Sequence, residues 1–235
     1  PPGKMCPGAT GEPLPCSAGG FCEGSNPGAT PCPEGSYSNA TGLSSADGCS
    51  PCLAGTYSDK QKAISCAPCD KGTSTNSAQG QIQCSKCSAG TSASSTGSAT
   101  CSVCRAGTYS SSDGSVCTPC DAGKSSQAQS GECQPCSEGS YSARGQGGAC
   151  PSCDAGSYSN QQGSSSCTPC GAGTYSSEGA SRCEDCQPGR YAVKGSSNCK
   201  ECELGKYTTK TKQGSCSTCA FGEQSNADRS DCTLC

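Results

Sequence analysis

The chain has 235 residues, of which 28 are Cys, 33 Gly and 15 Pro, with a formal net charge of -3 and no His. Only five Leu, three Val, two Ile and two Phe are present, which excludes globular domains built around an apolar core. The 16 Lys and Arg residues are scattered, which argues against a nucleic-acid partner.

Cysteine takes the place of the missing core. Its share of the chain exceeds the ~8–10% above which a disulfide scaffold is the usual interpretation. Disulfides persist in oxidising compartments, so we expect a secreted or cell-surface protein. No apolar run approaches the ~18–20 residues of a membrane span, so we expect no membrane contact within this sequence and any signal or anchor to lie beyond its ends.

The first segment, residues 1–31, is a variant region rich in Cys, Pro and Gly. Its cysteines Cys6, Cys16 and Cys22, followed by Cys32, are separated by a long, a short and again a long interval. This alternation places another cysteine just before Pro1. The pairing of the first three cysteines cannot be assigned from sequence alone.

Residues 32–235 form a tandem array of repeats. Every cysteine from Cys49 onward belongs to a C-x-x-C pair, and successive pairs recur at a nearly constant interval. A fixed period of this kind, here about 17 residues, is typical of repeat proteins. We expect the array to continue beyond both ends. The pairs begin at Cys49, Cys66, Cys84, Cys101, Cys117, Cys133, Cys150, Cys167, Cys183, Cys199, Cys216 and Cys232.

A glycine occupies the same position in every repeat. It stands three residues after Cys32 and three residues after the second cysteine of each later C-x-x-C pair that begins a complete repeat. An unvarying glycine predicts either a positive φ or a backbone neighbour too close for a side chain. We therefore expect a tight turn at this glycine in every repeat. These glycines are Gly35, Gly55, Gly72, Gly90, Gly107, Gly123, Gly139, Gly156, Gly173, Gly189, Gly205 and Gly222.

All eight tyrosines stand five residues after the same cysteine. We interpret the ring as a packing element that lies over its own disulfide or against the next repeat, with its hydroxyl in water. A stripe of tyrosines that stack on sugars is the alternative. The tyrosines are Tyr37, Tyr57, Tyr109, Tyr141, Tyr158, Tyr175, Tyr191 and Tyr207, and the other four repeats carry Ser74, Ser92, Ser125 and Gln224.

The repeat reads C-x-x-G-[TS]-Y-S, followed by a polar stretch and the next C-x-x-C. The Thr-Tyr-Ser triplet suits a short strand and the polar stretch suits a turn and return, which predicts one irregular β-hairpin per repeat. No segment has apolar residues at helical spacing, so we expect no helix and little regular secondary structure. The predicted fold is a set of small disulfide-rich repeats forming an elongated, ladder-like rod in which each repeat contacts only its neighbours.

Two disulfide registers fit the spacing. In one, each C-x-x-C pair closes on itself and leaves the stretches between pairs unconstrained. In the other, which we favour, the second cysteine of one pair bonds to the first of the next, and Cys235 is left for a cysteine beyond the sequence. The predicted pairs are Cys32 and Cys49, Cys52 and Cys66, Cys69 and Cys84, Cys87 and Cys101, Cys104 and Cys117, Cys120 and Cys133, Cys136 and Cys150, Cys153 and Cys167, Cys170 and Cys183, Cys186 and Cys199, Cys202 and Cys216, and Cys219 and Cys232.

The stretch CSAGGFCEGSNPGATPCPEGSYSNATGLSSADGCSPCLAGTYS, together with the later AGTYS, EGSYS, AGSYS and PGRYA, resembles the cysteine-rich repeats of the tumour-necrosis-factor-receptor and ephrin-receptor-like (GCC2/GCC3) type. Such repeats occur in receptor ectodomains and in surface and flagellar-hair proteins of protists and algae, and the resemblance implies a ladder-like rod. The pattern is specific for a fold and not for a function. Receptor arrays usually interrupt the simple repeat, whereas this array is monotonous, which favours a spacer or filament.

Metal binding and catalysis are the competing chemical interpretations. Zinc ribbons use C-x2-C pairs separated by about 15–20 residues, but the gaps here are shorter than that and nothing groups the pairs in twos. Without His the usual general base is missing, and no G-x-x-x-x-G-K phosphate loop occurs. We therefore expect no catalytic residue, no cofactor and no metal site, and a protein that is not an enzyme.

One N-glycosylation sequon begins at Asn39, in the loop between Cys32 and Cys49. Regularity without a special site favours an extracellular filament, stalk or surface coat, glycosylated and partnered by further copies or by other extracellular proteins and glycans. The alternative is a ligand-binding receptor ectodomain or adhesin, with contacts in the region before Cys32 or in the repeats that lack tyrosine.

Overall fold

The computed structural model describes residues 2–6, 12–24 and 27–235. The chain divides into two compact units. The first comprises Pro1–Arg105, Tyr109–Thr118 and Gln129–Glu132, and the second comprises Ala106–Thr108, Pro119–Ala128 and Cys133–Cys235. Both are built from the same repeat, which is named below by its first cysteine, so that the Cys52 repeat runs from Cys52 to Cys66.

In the described residues the secondary structure consists of short strands and one 3₁₀ turn at Ala46–Gly48, with no α-helix. The strands form two-stranded sheets. The prediction of small disulfide-rich β-hairpin repeats is confirmed, with the 3₁₀ turn as its one helical exception. The strands are β1 (Lys4–Met5), β2 (Leu14–Pro15), β3 (Gly20–Phe21), β4 (Thr30–Pro31), β5 (Ser36–Tyr37), β6 (Ser50–Pro51), β7 (Thr56–Tyr57), β8 (Ala67–Pro68), β9 (Thr73–Ser74), β10 (Ser85–Lys86), β11 (Thr91–Ser92), β12 (Ser102–Val103), β13 (Thr108–Tyr109), β14 (Thr118–Pro119), β15 (Lys124–Ser125), β16 (Gln134–Pro135), β17 (Ser157–Tyr158), β18 (Thr168–Pro169), β19 (Thr174–Tyr175), β20 (Glu184–Asp185), β21 (Arg190–Tyr191), β22 (Lys200–Glu201), β23 (Lys206–Tyr207), β24 (Ser217–Thr218), β25 (Glu223–Ser225) and β26 (Cys232–Leu234).

From Cys32 onward, each hairpin uses the residues between the cysteines of a C-x-x-C pair in its return strand. In the Cys52 repeat, Tyr57 of β7 lies opposite Ala67 of β8 in an antiparallel register. The amide of Cys69 then donates a hydrogen bond of 2.9 Å to the carbonyl of Gly55 and closes the hairpin. The two residues between the cysteines therefore form the return strand of the hairpin.

The first strand of each hairpin starts from a tight turn. In the Cys52 repeat, Gly55 has a φ of 87° and the amide of Thr56 donates to the carbonyl of Leu53 at 2.9 Å, as in a type II turn. The Thr56 hydroxyl donates to the same carbonyl at 2.8 Å, which explains why Thr or Ser follows the glycine. The equivalent second bond is made by Ser36, Thr73, Thr91, Ser140, Ser157 and Thr174.

Disulfides form the interior of the repeats. The first cysteine of every repeat from Cys16 to Cys202 is only 0 to 3% exposed, whereas apolar side chains such as Leu204 and Phe221 face the solvent. The Cα atoms of paired cysteines are 5.5 to 5.9 Å apart, within the usual range for disulfides. Closing a loop of about 15 residues with a disulfide contributes about 3 kcal/mol to stability in the chain-entropy description.

Consecutive repeats are joined by backbone hydrogen bonds in a fixed pattern. The amide of Gly35 donates to the carbonyl of Ser58 in the next repeat at 2.8 Å, and the amide of Ser58 donates to Gln81 in the repeat after that at 3.1 Å. The residue six positions after the first cysteine is small and buried. Its backbone makes both contacts in most repeats, whereas Thr75 accepts from the amide of Gly55 with its hydroxyl and Ser126 accepts from the amide of Gly107. The residue at this position is Ser38, Ser58, Thr75, Ala93, Ser110, Ser126, Ser142, Ser159, Ser176, Ala192 or Thr208.

The glycine of a repeat also contacts the repeat two positions further along. A Cβ on Gly139 would collide with the backbone carbonyl of Gly179, which lies in the Cys170 repeat. The amide of Gly179 donates to the carbonyl of Cys153 at 2.8 Å, so this loop is held by one repeat while it covers another. Both predicted reasons for the glycine are confirmed. The prediction that repeats contact only their neighbours is wrong. The hairpin of the intervening Cys153 repeat is thin, so the loop that contains Gly179 extends past it to Gly139.

Candidate functional site

The structure pairs the cysteines from Cys32 to Cys232 across consecutive C-x-x-C pairs, beginning with Cys32 to Cys49 and ending with Cys219 to Cys232. No C-x-x-C pair closes on itself within the described residues. Cys6 and Cys235 form no disulfide within the described residues. The predicted partner of Cys235 beyond the sequence remains a prediction.

The structure also joins Cys16 to Cys22, a disulfide that the sequence reasoning left unassigned. The signal for it was present, because Gly19 and Phe21 stand three and five residues after Cys16. Cys16 therefore begins a repeat in the common register, and Cys22 occupies the position that is a small residue elsewhere. Residues 7–11 and 25–26 of the variant region lie outside the described residues.

Asn39, the predicted glycosylation site, lies in exposed coil directly after β5 and Ser38. Its exposure is compatible with glycosylation, and its modification remains a proposal. Among the residues that the structure describes, no group of three or more Cys, Asp or Glu side chains is placed to hold a metal ion. The same residues include no helix long and apolar enough to cross a bilayer.

The residue five positions after the first cysteine faces the disulfide of the next repeat. The hydroxyls of Ser74, Ser92 and Ser125 lie 3.2 to 3.3 Å from cysteine sulfurs of the following repeat. The tyrosines at this register are half-buried. Of the two predicted positions for the ring, these contacts support the one against the next repeat. The three sulfurs belong to Cys101, Cys117 and Cys150.

Grooves occur at this register between consecutive repeats. A groove of about 330 Å³ is lined by Tyr158 together with Thr174 and Cys183 of the next repeat. The equivalent groove in the first compact unit, lined by Thr91 and Cys101, is larger at about 530 Å³. The residue at the tyrosine register there is Ser74, whose hydroxyl lies 3.3 Å from the sulfur of Cys101. A third groove of this kind, of about 180 Å³, is lined by Tyr191, Glu203, Lys206, Ser215 and Cys216.

Filling the larger groove tests this account of the tyrosine. We expect Ser74→Tyr to place its ring over the disulfide of the Cys87 repeat and to stabilise that repeat by about 0.5–1.5 kcal/mol. Ring-current shifts of the Cys101 β protons and hydrogen exchange of the Cys104 amide would measure the effect. Ser98→Tyr, a substitution of the same size outside this register, is the control. Equal stabilisation by both variants would contradict the account.

A groove with a different character lies at Tyr175. It measures about 770 Å³, and its lining includes Arg182, Glu184, Gln187 and Asn198. The Tyr175 hydroxyl donates a hydrogen bond of 2.8 Å to Oε2 of Glu184, which lies opposite it on β20. This hydrogen bond fixes the orientation of the ring at the groove wall.

The second wall of the Tyr175 groove is held by an ion-pair chain. Nη2 of Arg190 lies 2.8 Å from Oε1 of Glu201, its partner across β21 and β22, and Nη1 of Arg229 lies 2.7 Å from Oε2 of the same carboxylate. Exposed ion pairs contribute little to stability. They place the Arg190 side chain beside the groove.

The hydrogen bond to Glu184 raises the pKa of Tyr175, and repulsion between the phenolate and the Glu184 carboxylate acts in the same direction. Because the pKa is raised, this hydrogen bond contributes to folding stability at pH values below the ordinary pKa of tyrosine. The contribution is lost as the pH rises through the raised pKa. We expect Glu184→Gln to lower the pKa of Tyr175 towards its ordinary value. Titration of the Tyr175 ring by NMR would show this, and an unchanged pKa would contradict the hydrogen bond.

Comparison with known proteins supports the repeat type. No curated protein matches the chain. Residues 42–79, which include the whole Cys52 repeat, match the family described as tyrosine-protein kinase ephrin type A/B receptor-like. The tandem disulfides and this match make the chain a cysteine-rich repeat protein of extracellular type, with a segment similar to ephrin-receptor-like repeats.

Proposed function

We propose that the chain is the structural part of an extracellular filament, stalk or surface coat, and that it is not an enzyme. The observation that carries the proposal is the regular backbone bonding between repeats. The same glycine bond to the next repeat is made by Gly19, Gly35, Gly72, Gly90, Gly107, Gly123, Gly139, Gly156, Gly173 and Gly189. An array that repeats one contact is suited to serve as a spacer of fixed length or as the subunit of a filament or lattice.

The chemistry of the contacts supports mechanical use. They join backbone groups and buried disulfides, and they depend little on variable side chains. Load on the array would therefore be carried by many equivalent bonds, while the exposed side chains remain free to vary. Glycans at Asn39 and on the exposed Ser and Thr of the loops would shield the open backbone from proteases, which is part of the proposal.

Electron microscopy of the protein from its native source tests the structural role. We expect ordered filaments, stalks or a surface layer that dissociate when the disulfides are reduced. Mass spectrometry of the same material should show added glycan mass at Asn39. Dispersed monomers with one soluble high-affinity ligand would contradict the proposal.

A receptor ectodomain or adhesin is the second candidate. It is favoured by the ephrin-receptor-like match at residues 42–79 and by the Tyr175 groove, which has the amide side chains of Gln187 and Asn198 in its lining. Labelling of cells with the recombinant chain separates the two candidates. Saturable labelling by monomeric protein favours the adhesin, whereas co-assembly only with further copies of the chain favours the structural role.

A further inference from the structure

The Tyr175 groove differs from its register equivalents in the groups that line it. At three equivalent positions of the Cys186 repeat it presents Gln187, Arg190 and Asn198, all with planar polar side chains. The equivalent groove of the Cys87 repeat has the smaller residues Ser88, Thr91 and Thr100. The Tyr191 groove has Glu203, Lys206 and Ser215 at these positions, so among the grooves described only the Tyr175 groove has amide side chains there.

Two side chains of the groove already have partners within the protein. The Tyr175 ring is held by Glu184, and the Arg190 guanidinium is held by Glu201. Because these side chains are already paired, they lose less conformational entropy when a ligand binds. The groove volume, about 770 Å³, is in the range of small-ligand sites.

The balance of charge and polarity defines the class of ligand. Arg182 and Arg190 are opposed by Glu184 and Asp185, so the lining favours neither a polyanion nor a polycation. The Tyr175 ring and the sulfur-bearing side chains of Cys183 and Cys199 are the least polar groups of the lining. A neutral ligand with many hydroxyl groups and one weakly polar face fits both conditions.

We propose that the Tyr175 groove binds a neutral oligosaccharide. One sugar ring stacks its C–H face on Tyr175, and its hydroxyls exchange hydrogen bonds with the amides of Gln187 and Asn198 and with the Arg182 guanidinium. Asp185, which an ion pair of 3.6 Å joins to Lys212, supplies a carboxylate acceptor at the rim. This binding site goes beyond the structural role and does not depend on it.

The test uses the folded, disulfide-bonded chain after enzymatic removal of its own glycans. The protein is applied to an array of neutral glucose-, mannose-, galactose- and N-acetylglucosamine-terminated oligosaccharides beside sulfated and sialylated ones. The strongest neutral oligosaccharide is then titrated by NMR against the original chain and three variants. Titration of the chain with its own glycans left in place distinguishes an external oligosaccharide from the protein's own, because competing glycans would weaken the measured affinity.

The variants separate the groove from the general role of the tyrosine. We expect Tyr175→Ser to weaken binding at least about tenfold, because the stacking surface is lost. Serine stands naturally at this register in Ser74, Ser92 and Ser125, so the variant is compatible with the fold. Asn198→Ala should also weaken binding. Tyr57→Ser, the same change in another repeat, should leave binding unchanged.

The proposal is overturned if no neutral oligosaccharide binds, if only acidic glycans or peptides bind, or if Tyr175→Ser and Tyr57→Ser bind equally well. Non-reducing peptide mapping of each variant verifies that the disulfides are intact. Shifts of the Tyr175 ring and of the Asn198 side-chain amide on titration would locate the ligand in the groove. Shifts confined to other repeats would likewise overturn the assignment.

Discussion

Gly139→Ala is expected to destabilise the repeats around it by at least about 3 kcal/mol. Gly139 has a φ of 78°, which an L-residue adopts only at a cost, and the carbonyl of Gly179 occupies the place of the new Cβ. The backbone of the Cys170 repeat would have to withdraw. Hydrogen exchange of the Gly139 and Gly179 amides should accelerate together, although the two glycines belong to different repeats with a third between them.

Gly222→Ala is the matched control. Gly222 stands at the same register with a φ of 82°, but no atom lies within 4 Å of its Cβ position. Its substitution should therefore incur only the backbone term, about 1–2 kcal/mol. If the two alanine variants have equal effects, the contact with the repeat two positions further along contributes nothing.

Replacing Cys153 and Cys167 together by serine is expected to open the Cys153 repeat, with a local loss of about 3 kcal/mol. The effect should spread backwards along the array. The amide of Ser142 donates to the carbonyl of Ser164 in the opened loop at 3.1 Å, and the carbonyl of Gly163 covers Gly123. Hydrogen exchange should therefore increase at Ser142 and Gly123 as well as inside the loop.

The distant end of the chain provides the control for this disulfide variant. Amides of the Cys52 repeat share no hydrogen bond with the Cys153 repeat and should keep their exchange rates. Exchange that increases only between Cys153 and Cys167 would contradict the coupling between repeats. A single cooperative loss of protection throughout the chain would equally contradict stability as a sum of local terms.

The hairpin repeat could be predicted from sequence because its determinants recur at fixed positions. The glycine after Cys52 marks the turn, and Thr56 and Tyr57 mark the first strand. The coupling between repeats could not be predicted. The same glycine satisfies both a turn and a close contact, and nothing in the residues identifies which distant carbonyl provides that contact. Which repeat a loop contacts depends on how the repeats pack together, and the local sequence does not specify that.

The candidate site was predicted only in part. The tyrosine register was evident, but the ring had two alternative positions until Ser74 and its equivalents showed that the position faces the following disulfide. The Tyr175 groove was missed because its residues come from two repeats and show no local motif. A search for planar polar residues at the positions of Gln187 and Arg190 in successive repeats would have found it.

Non-reducing peptide mapping of the native protein tests the central claim most directly, because the disulfide register determines the repeat, the hydrogen-bond pattern and the grooves. The account predicts peptides linked as Cys52 to Cys66 and Cys153 to Cys167, together with the short Cys16 to Cys22 loop. Links within C-x-x-C pairs, such as Cys66 to Cys69, or free thiols throughout the array would contradict the fold and the extracellular function built on it.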